Sequence, residues 1–169
     1  MSDVSVGSTP SFYKVLTAGS KDKYYVYHDE IYDSLYWSNS TTTTGATGTA
    51  IGTGKSNTAI LLATNEITDT TTIWYKLQQI RNAYTDGCND WFMPSKDEIE
   101  KLRLAVNSGS ITGGTIAGSS YEGSVFNNKR LWSSSENSNT GAWHWVYFSQ
   151  QWETLYKTNR YPVFFARAF

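Results

Sequence analysis

Short segments rich in aromatic and β-branched residues, bounded by turn residues, occupy both ends of the chain and are typical of β-strands. Near the N-terminus, turn residues Gly19, Asp22 and Asp33 separate three such segments, at 12–16, 24–27 and 35–37. In the last third, short polar turns separate four more, at 131–135, 142–149, 152–157 and 163–169. Helix-like spacing lies between the two groups. This order predicts an α+β fold with a central antiparallel sheet.

Two or three helices are expected to flank that sheet. The first covers 58–63, with Ser56 and Asn57 as candidate caps. The second follows Asp69 as its cap and has one apolar face. That face comprises Ile73, Trp74, Leu77 and Ile80.

The third helix has the clearest start. Ser95 and Glu98 are spaced as a capping box, in which each side chain bonds the backbone of the other residue. Ile99, Leu102 and Val106 then form its buried stripe.

Three stretches lack a regular period. Residues 1–11 are small and polar and are expected to form a flexible arm ahead of a single domain at 12–169. The Ser/Thr/Gly tract at 38–54 is either a structured surface loop or a partly mobile one. The Gly/Ser-rich stretch at 108–123 predicts no regular element.

The composition of the 169 residues combines many rings with few charges. Aromatic residues make up 15% and charged residues 17%, and the formal net charge is -1. Nucleic acid is therefore not an expected partner, because phosphate binding needs a basic face. Membrane insertion is not expected either, because no apolar run approaches about 18 residues. The N-terminus lacks the pattern of a secretory signal, so synthesis in the cytoplasm without a signal peptide is expected.

Few residues suggest catalysis. Cys88 is the single cysteine, so neither an intrachain disulfide nor a cysteine-rich metal site is expected. His28 and His144 have no zinc-ligand spacing and no evident triad partners. We therefore expect no catalytic residues, no metal site and no cofactor.

Two further motifs have ordinary structural explanations. The segment 52–56 (GTGKS) resembles the end of a phosphate-binding loop, but Thr49 stands where that motif needs its first glycine. A tight turn before a helix is the preferred interpretation. The pairs Asn89–Asp90 and Glu136–Asn137 offer oxygen ligands for calcium, although such pairs usually serve turns.

Several motifs resemble one known family. Residues 90–99 (DWFMPSKDEI) resemble the "DW-x-L-P-S-x-x-E-L" core of the bacterial and phage domain called DUF1566. Residues 131–136 (LWSSSE) resemble its "YWSSSE" strand, and Ala142–Trp143, Lys157 and 163–169 resemble its "AW…K…VRAVRAF" ending. A Gly-rich segment at 48–58 also matches in order, so the resemblance covers about 24–169. It implies a C-type-lectin-like fold of the formylglycine-generating-enzyme subtype.

The departures from this family are informative. Phe164 replaces the first Arg of the ending, Gln150 replaces a hairpin glycine, and Tyr147 stands at a Phe position. A chain with one cysteine cannot supply the pair that formylglycine-generating enzymes use, so the resemblance implies a protein that is not an enzyme. The Glu-Pro-Asn and Gln-Pro-Asp tripeptides of calcium-dependent lectins do not occur.

The family resemblance extends to the variable proteins of diversity-generating retroelements, many of which bind ligands from phage tails or cell surfaces. It implies a virion or bacterial-surface location and a C-terminal ligand-binding segment at 131–169. The expected partner is a host cell-surface protein or glycan. The alternative is a structural module that oligomerises with virion or surface-structure subunits through the same surface.

Alternation within 142–149 suggests which side chains belong to that surface. We expect Trp143, Trp145 and Tyr147 to face the core, with Trp91 and Trp132, and the intervening residues to face outward. The alternative is that a second layer covers the outward face. Aromatic, amide and charged residues of this kind concentrate binding energy. The predicted ligand-binding residues are His144, Val146, Phe148, Gln151, Trp152, Glu153, Leu155, Tyr156, Asn159, Arg160, Tyr161 and Phe164.

Overall fold

The computed structural model describes residues 11–16, 22–27, 32–83, 88–107, 130–146 and 148–168. Several sequence predictions lie outside these residues: most of the arm, the 108–123 stretch, and the orientation of Tyr147. The side chain of Val106 also lies outside them. Ser11 belongs to the first strand and not to the arm.

The order of elements confirms the predicted α+β class. The N-terminal strands are β1 (Ser11–Leu16), β2 (Asp22–Tyr27) and β3 (Tyr32–Tyr36), the last of which includes Asp33, expected to be a turn residue. The helices are α1 (Thr53–Leu62), α2 (Ile73–Asn82) and α3 (Lys96–Asn107), with a 3-10 turn at Asn65–Thr68. The C-terminal strands are β4 (Arg130–Glu136), β5 (Gly141–Val146), β6 (Gln151–Tyr156), β7 (Arg160–Val163) and β8 (Ala166–Ala168).

The described strands form three antiparallel sheets, where one central sheet was expected. Their orders are β1-β2-β8, β3-β7 and β4-β5-β6. The predicted strand at 163–169 is divided, because β7 pairs with β3 whereas β8 pairs with β2. Phe164 and Phe165 lie at the division, and both are buried. In a regular strand of a sheet with one buried face, only one of two adjacent residues would be buried.

Helix α1 begins five residues before the predicted segment, because the residues that hold its start are distant in sequence. Gly52 precedes the helix with φ 96°, and its N–H donates to Glu98 Oε1 at 2.8 Å. Asn57 does not cap the helix. It bonds the backbone of Gly48, accepting from its N–H at 3.2 Å and donating to its carbonyl at 2.7 Å.

The other helix starts match the sequence more closely. The capping box of α3 is confirmed: Ser95 N–H donates to Glu98 Oε2 at 2.7 Å, and Glu98 N–H approaches Ser95 Oγ at 3.4 Å. In α2 the cap is Thr72, whose hydroxyl accepts from Tyr75 N–H at 3.2 Å, and not Asp69. The predicted apolar face of α2 is buried in full.

Buried tryptophans form the centre of the core. The Trp37 and Trp74 rings meet edge to face with centroids 5.3 Å apart. Trp37 Nε1 donates to the Ser133 carbonyl at 2.8 Å, and Trp74 Nε1 donates to the Trp37 carbonyl at 2.6 Å. Burial of Trp91 and Trp132 is confirmed, whereas Trp143 is only half-buried and its predicted core position is wrong.

A buried ion pair fixes the Ser/Thr/Gly tract as a structured loop. Glu136 Oε1 bonds Lys157 Nζ, and both side chains are excluded from solvent. The same carboxylate accepts from the N–H groups of Thr44 and Gly45 at 2.9 and 3.0 Å. Burial would raise the pKa of Glu136, but the hydrogen bonds from Lys157, Thr44 and Gly45 together hold it below its usual value.

Replacing Lys157 by Met is expected to lower the free energy of unfolding by about 3–5 kcal/mol, because the Glu136 carboxylate is left buried without its cation. Urea denaturation at pH 7 measures the loss. Asp97→Ala is the matched control, because it removes an exposed contact with Lys96 at 3.7 Å and should cost less than about 1 kcal/mol. Equal losses in the two variants would contradict a special role for the buried pair.

Candidate ligand-binding surface

The hairpin of β5 and β6 forms one side of the β4-β5-β6 sheet. Val146 pairs with Gln151 and Gly141 pairs with Tyr156, and the turn at 148–150 lies at one end. Within the described residues β6 pairs with β5 alone, so its other side is an open strand edge. We use "β6 edge" for residues 148–156.

One face of β5 was expected to be exposed and is instead covered. His144 and Val146 have exposed fractions of 0% and 3%. The His144 ring stacks on Tyr161 of β7 at 5.6 Å with an interplanar angle of 8°. The predicted outward orientation of His144 and Val146 is therefore wrong, and the alternative of a covering layer is confirmed.

Phe164 is also misplaced by the sequence prediction. Its exposed fraction is 2%, because it lies between β7 and β8 where the chain passes from one sheet to another. A ring at this position contributes to the core and not to a surface.

Helix α3 covers the opposite face of β5. Lys96 Nζ lies 5.2 Å from the centre of the Trp143 ring and 5.6 Å from that of Trp152. The Arg103 guanidinium carbon lies 4.3 Å from the centre of the Trp145 ring. Contacts of cations with ring faces stabilise this packing. Both faces of β5 are therefore covered in the middle of the strand.

Glu100 completes the contact between α3 and the hairpin. It accepts from Trp152 Nε1 at 3.0 Å and from Arg103 at 2.7 and 3.1 Å. Hydrogen bonds from Arg103, and then from Trp152, lower the pKa of Glu100 against the opposing effect of burial. These contacts were not predicted from the sequence. The signal was present, because Lys96, Glu100 and Arg103 follow helical spacing.

The remaining predicted residues are exposed to different degrees. Phe148 in the turn and Tyr156 at the end of β6 have exposed fractions of 76% and 66%. Gln151 and Arg160 are exposed too, and the Arg160 guanidinium carbon lies 4.4 Å from the centre of the Tyr36 ring. The partly exposed residues are Trp152, Glu153, Leu155, Asn159 and Tyr161. Among the described residues, the two aromatic side chains that are exposed, Phe148 and Tyr156, both lie on the β6 edge.

The other candidate motifs are engaged within the protein. A Cβ added at Gly54 would lie 2.3 Å from Glu98 Oε2, so the Glu98 side chain fills the space beside the start of α1. The turn lies at 51–52 and residues 53–56 already belong to α1, so the interpretation of the whole segment 52–56 as a turn before the helix is wrong. Asp90 bonds Arg167 and Glu136 bonds Lys157, so each carboxylate of the candidate calcium pairs already has a cationic partner. In the described ranges no three His, Cys, Asp or Glu side chains are grouped to hold a metal ion.

No helix in the described ranges combines the length and apolar character needed to cross a membrane.

Comparison with known proteins adds no relative. No protein-family model matches the chain, and a search of curated proteins finds no significant match. The resemblance to DUF1566 and to C-type-lectin-like domains therefore stays a prediction from the sequence motifs.

The environment of His144 predicts a pH dependence of stability. Burial, and then the positive charge of Arg130, lower the pKa of His144 to about 4 against the opposing effect of Glu153. The unfolded chain binds this proton near pH 6.5, so stability is lost as the pH falls from about 6.5 towards 4. We expect the contribution of His144 to be about 2 kcal/mol smaller at pH 5 than at pH 7.

Urea unfolding of the wild type and of His144→Phe at both pH values tests this. The variant keeps a ring against Tyr161 but cannot bind the proton, so its loss of stability on acidification should be smaller by that amount. Parallel pH profiles for the two proteins would contradict the assignment to His144.

The turn of the hairpin contains a strained residue. Gln150 has φ 54°, in the left-handed region that disfavours side chains. Gln150→Gly is expected to raise the free energy of unfolding by about 0.5–1 kcal/mol relative to Gln150→Ala, which keeps the backbone cost while shortening the side chain. Thermal and urea denaturation measure the difference. A glycine variant no more stable than the alanine variant would disprove the strain.

Proposed function

We propose that this chain is a non-catalytic ligand-binding protein that binds its ligand through the β6 edge. The observation that carries the proposal is the exposure of two large rings, Phe148 and Tyr156, at 76% and 66%. Exposed rings bury a large area on binding and lose little rotamer entropy, so they supply binding energy efficiently. Phe148 lies in the turn before β6 and Tyr156 is the last residue of β6, so a partner can contact one ring at each end of the β6 edge.

The support beneath the β6 edge favours the same function. Trp152 is held from below by its bond to Glu100 and by contact with Trp145, whose ring centre lies 5.8 Å away. A surface that is fixed before binding loses less entropy when it binds. The exposed rings therefore sit on a frame that is already ordered.

The proposed partner is a host cell-surface protein or glycan, and the proposed setting is a phage tail or a bacterial surface. Both rest on the sequence resemblance, as does the proposal that the segment is diversified by a retroelement. A near-identical repeat of the 3′ coding end beside a reverse-transcriptase gene would support that last point. Because rings dominate the surface, binding should change by less than about threefold between 50 and 300 mM salt.

A second candidate is an assembly module that joins copies of the chain or neighbouring subunits. The open edge of β6 favours it, because an unpaired strand edge can extend a sheet into a second molecule. Light scattering at micromolar concentration separates the two functions: a stable oligomer that dissociates when Phe148 and Tyr156 are replaced would favour assembly.

The test of ligand binding uses the fluorescently labelled full chain and a panel of intact bacterial strains, with bound protein measured by flow cytometry. We expect saturable binding to some strains and a loss of at least about tenfold in Phe148→Ser/Tyr156→Ser. Trp152 is left in place, because it also stabilises the fold through Glu100.

Ile60→Ser is the matched control, because Ile60 is an exposed apolar residue on α1, far along the chain from the hairpin. It should bind as the wild type does. The double variant should keep its melting temperature within about 2 °C, because surface substitutions cost little. Unchanged cell binding by a folded double variant would overturn the proposed use of the β6 edge.

A further inference from the structure

An open groove lies beside the end of β6, next to the turn that joins β4 to β5. Its volume is about 290 Å³, which is close to the lower limit of about 300 Å³ usual for small-molecule sites. The described residues that line it are Ser138, Thr140, Gly141, Thr154, Leu155 and Tyr156.

Glycine keeps the floor of the groove open. Gly141 pairs with Tyr156 across the hairpin, so the tyrosine ring has no side chain opposite it. A Cβ at Gly141 would lie 3.1 Å from Ser138 Oγ and 3.5 Å from the Leu155 carbonyl oxygen. A larger residue at this position would therefore crowd Ser138 and Leu155, which both line the groove.

Backbone bonds hold both walls in place. The Ser138 hydroxyl accepts from Gly141 N–H at 3.0 Å, while Ser138 N–H donates to the Gly141 carbonyl at 3.1 Å. On the other side, Lys157 N–H donates to the Thr140 carbonyl at 2.9 Å. The groove is thus formed before any ligand arrives, which lowers the entropy cost of binding.

The residues that line the groove are all uncharged. Three hydroxyl groups, on Ser138, Thr140 and Thr154, each can donate and accept a hydrogen bond. The exposed ring of Tyr156 adds a flat apolar face. None of the six lining residues carries a carboxylate, ammonium, guanidinium or imidazole group. A phosphate or carboxylate ligand would find no cation here, since the neighbouring Lys157 is buried against Glu136.

We infer that this groove binds a neutral saccharide, with a sugar face against the Tyr156 ring and sugar hydroxyls bonded to the serine and threonine hydroxyls. The inference rests on the proposed function, because it names the ligand class for one end of the β6 edge. A sugar presents both features that the groove complements, since its hydroxyls donate and accept while its C–H face is apolar.

The experiment uses the full chain and a panel of neutral methyl glycosides of common hexoses and N-acetylhexosamines, each at about 20 mM. Saturation-transfer NMR detects binding, and titration gives the dissociation constant. Tyr156→Ala removes the ring, and Thr154→Val removes one hydroxyl with little change in shape. Ile60→Ser is the control, because Ile60 is an exposed apolar residue on α1 and lies outside the β6 edge.

We expect at least one glycoside to bind, with affinity reduced at least about tenfold in Tyr156→Ala and about threefold or more in Thr154→Val. Ile60→Ser should remain within about twofold of the wild type. Melting temperatures close to that of the wild type confirm that the variants are folded.

Two results would overturn the inference and leave the proposed function standing: cell binding through the β6 edge with no glycoside bound, or glycoside binding that all variants retain. Preference for an acidic sugar over its neutral counterpart would overturn it as well. If the proposed function itself is wrong, the result is different: the labelled chain binds to none of the bacterial strains in the panel.

Discussion

The ion pair of Glu136 and Lys157 is the interaction on which the rest of the C-terminal structure depends. Lys157 follows the last residue of β6, and its carbonyl accepts from the N–H groups of Trp37 and Ser38 at 3.0 and 3.2 Å. Its ammonium group also donates to the Thr42 carbonyl at 3.1 Å. One buried side chain therefore connects the end of β6, the end of β4 and the loop that precedes α1. The buried charge of Lys157 is tolerated because its ammonium group bonds both the Glu136 carboxylate and the Thr42 carbonyl.

The two-sided burial of β5 determines where a ligand can be bound. Tyr161 covers the His144 face, and α3 covers the face that contains Trp143 and Trp145. With both faces of the central strand covered, the most exposed rings of the described residues are Phe148 in the turn and Tyr156 on the edge strand. The candidate binding surface therefore lies at the edge of the sheet and not, as the sequence had predicted, on its face.

Local signals in the sequence predict some parts of this fold well. The capping box at Ser95 and the apolar face of α2 are confirmed, because both depend on residues close together in the chain. The start of α1 is missed, because its capping carboxylate belongs to Glu98 on another helix. A contact between residues so far apart in the chain leaves no local pattern in the sequence.

The candidate site is harder to predict for a related reason. Alternation identifies a buried face only when the opposite face is polar, and β5 has large residues on both. The exposure of Phe148 and Tyr156 follows from their positions in a turn and on an edge strand, where the prediction agrees with the structure. His144 and Val146 are misassigned because alternation within one strand gives no information about other strands, such as β7, whose Tyr161 covers His144.

The pairing of β2 with β8 has a consequence for how the molecule folds. Tyr25 lies opposite Ala168, and Tyr27 lies opposite Ala166, so β2 obtains its second neighbour from residues that follow it by about 140 positions. Contacts of such long range are slow to form, because a large loop must close before they contribute. During synthesis, β2 therefore cannot pair with β8 until β8 has left the ribosome. The β1-β2-β8 sheet is therefore complete only after β8 has been synthesised.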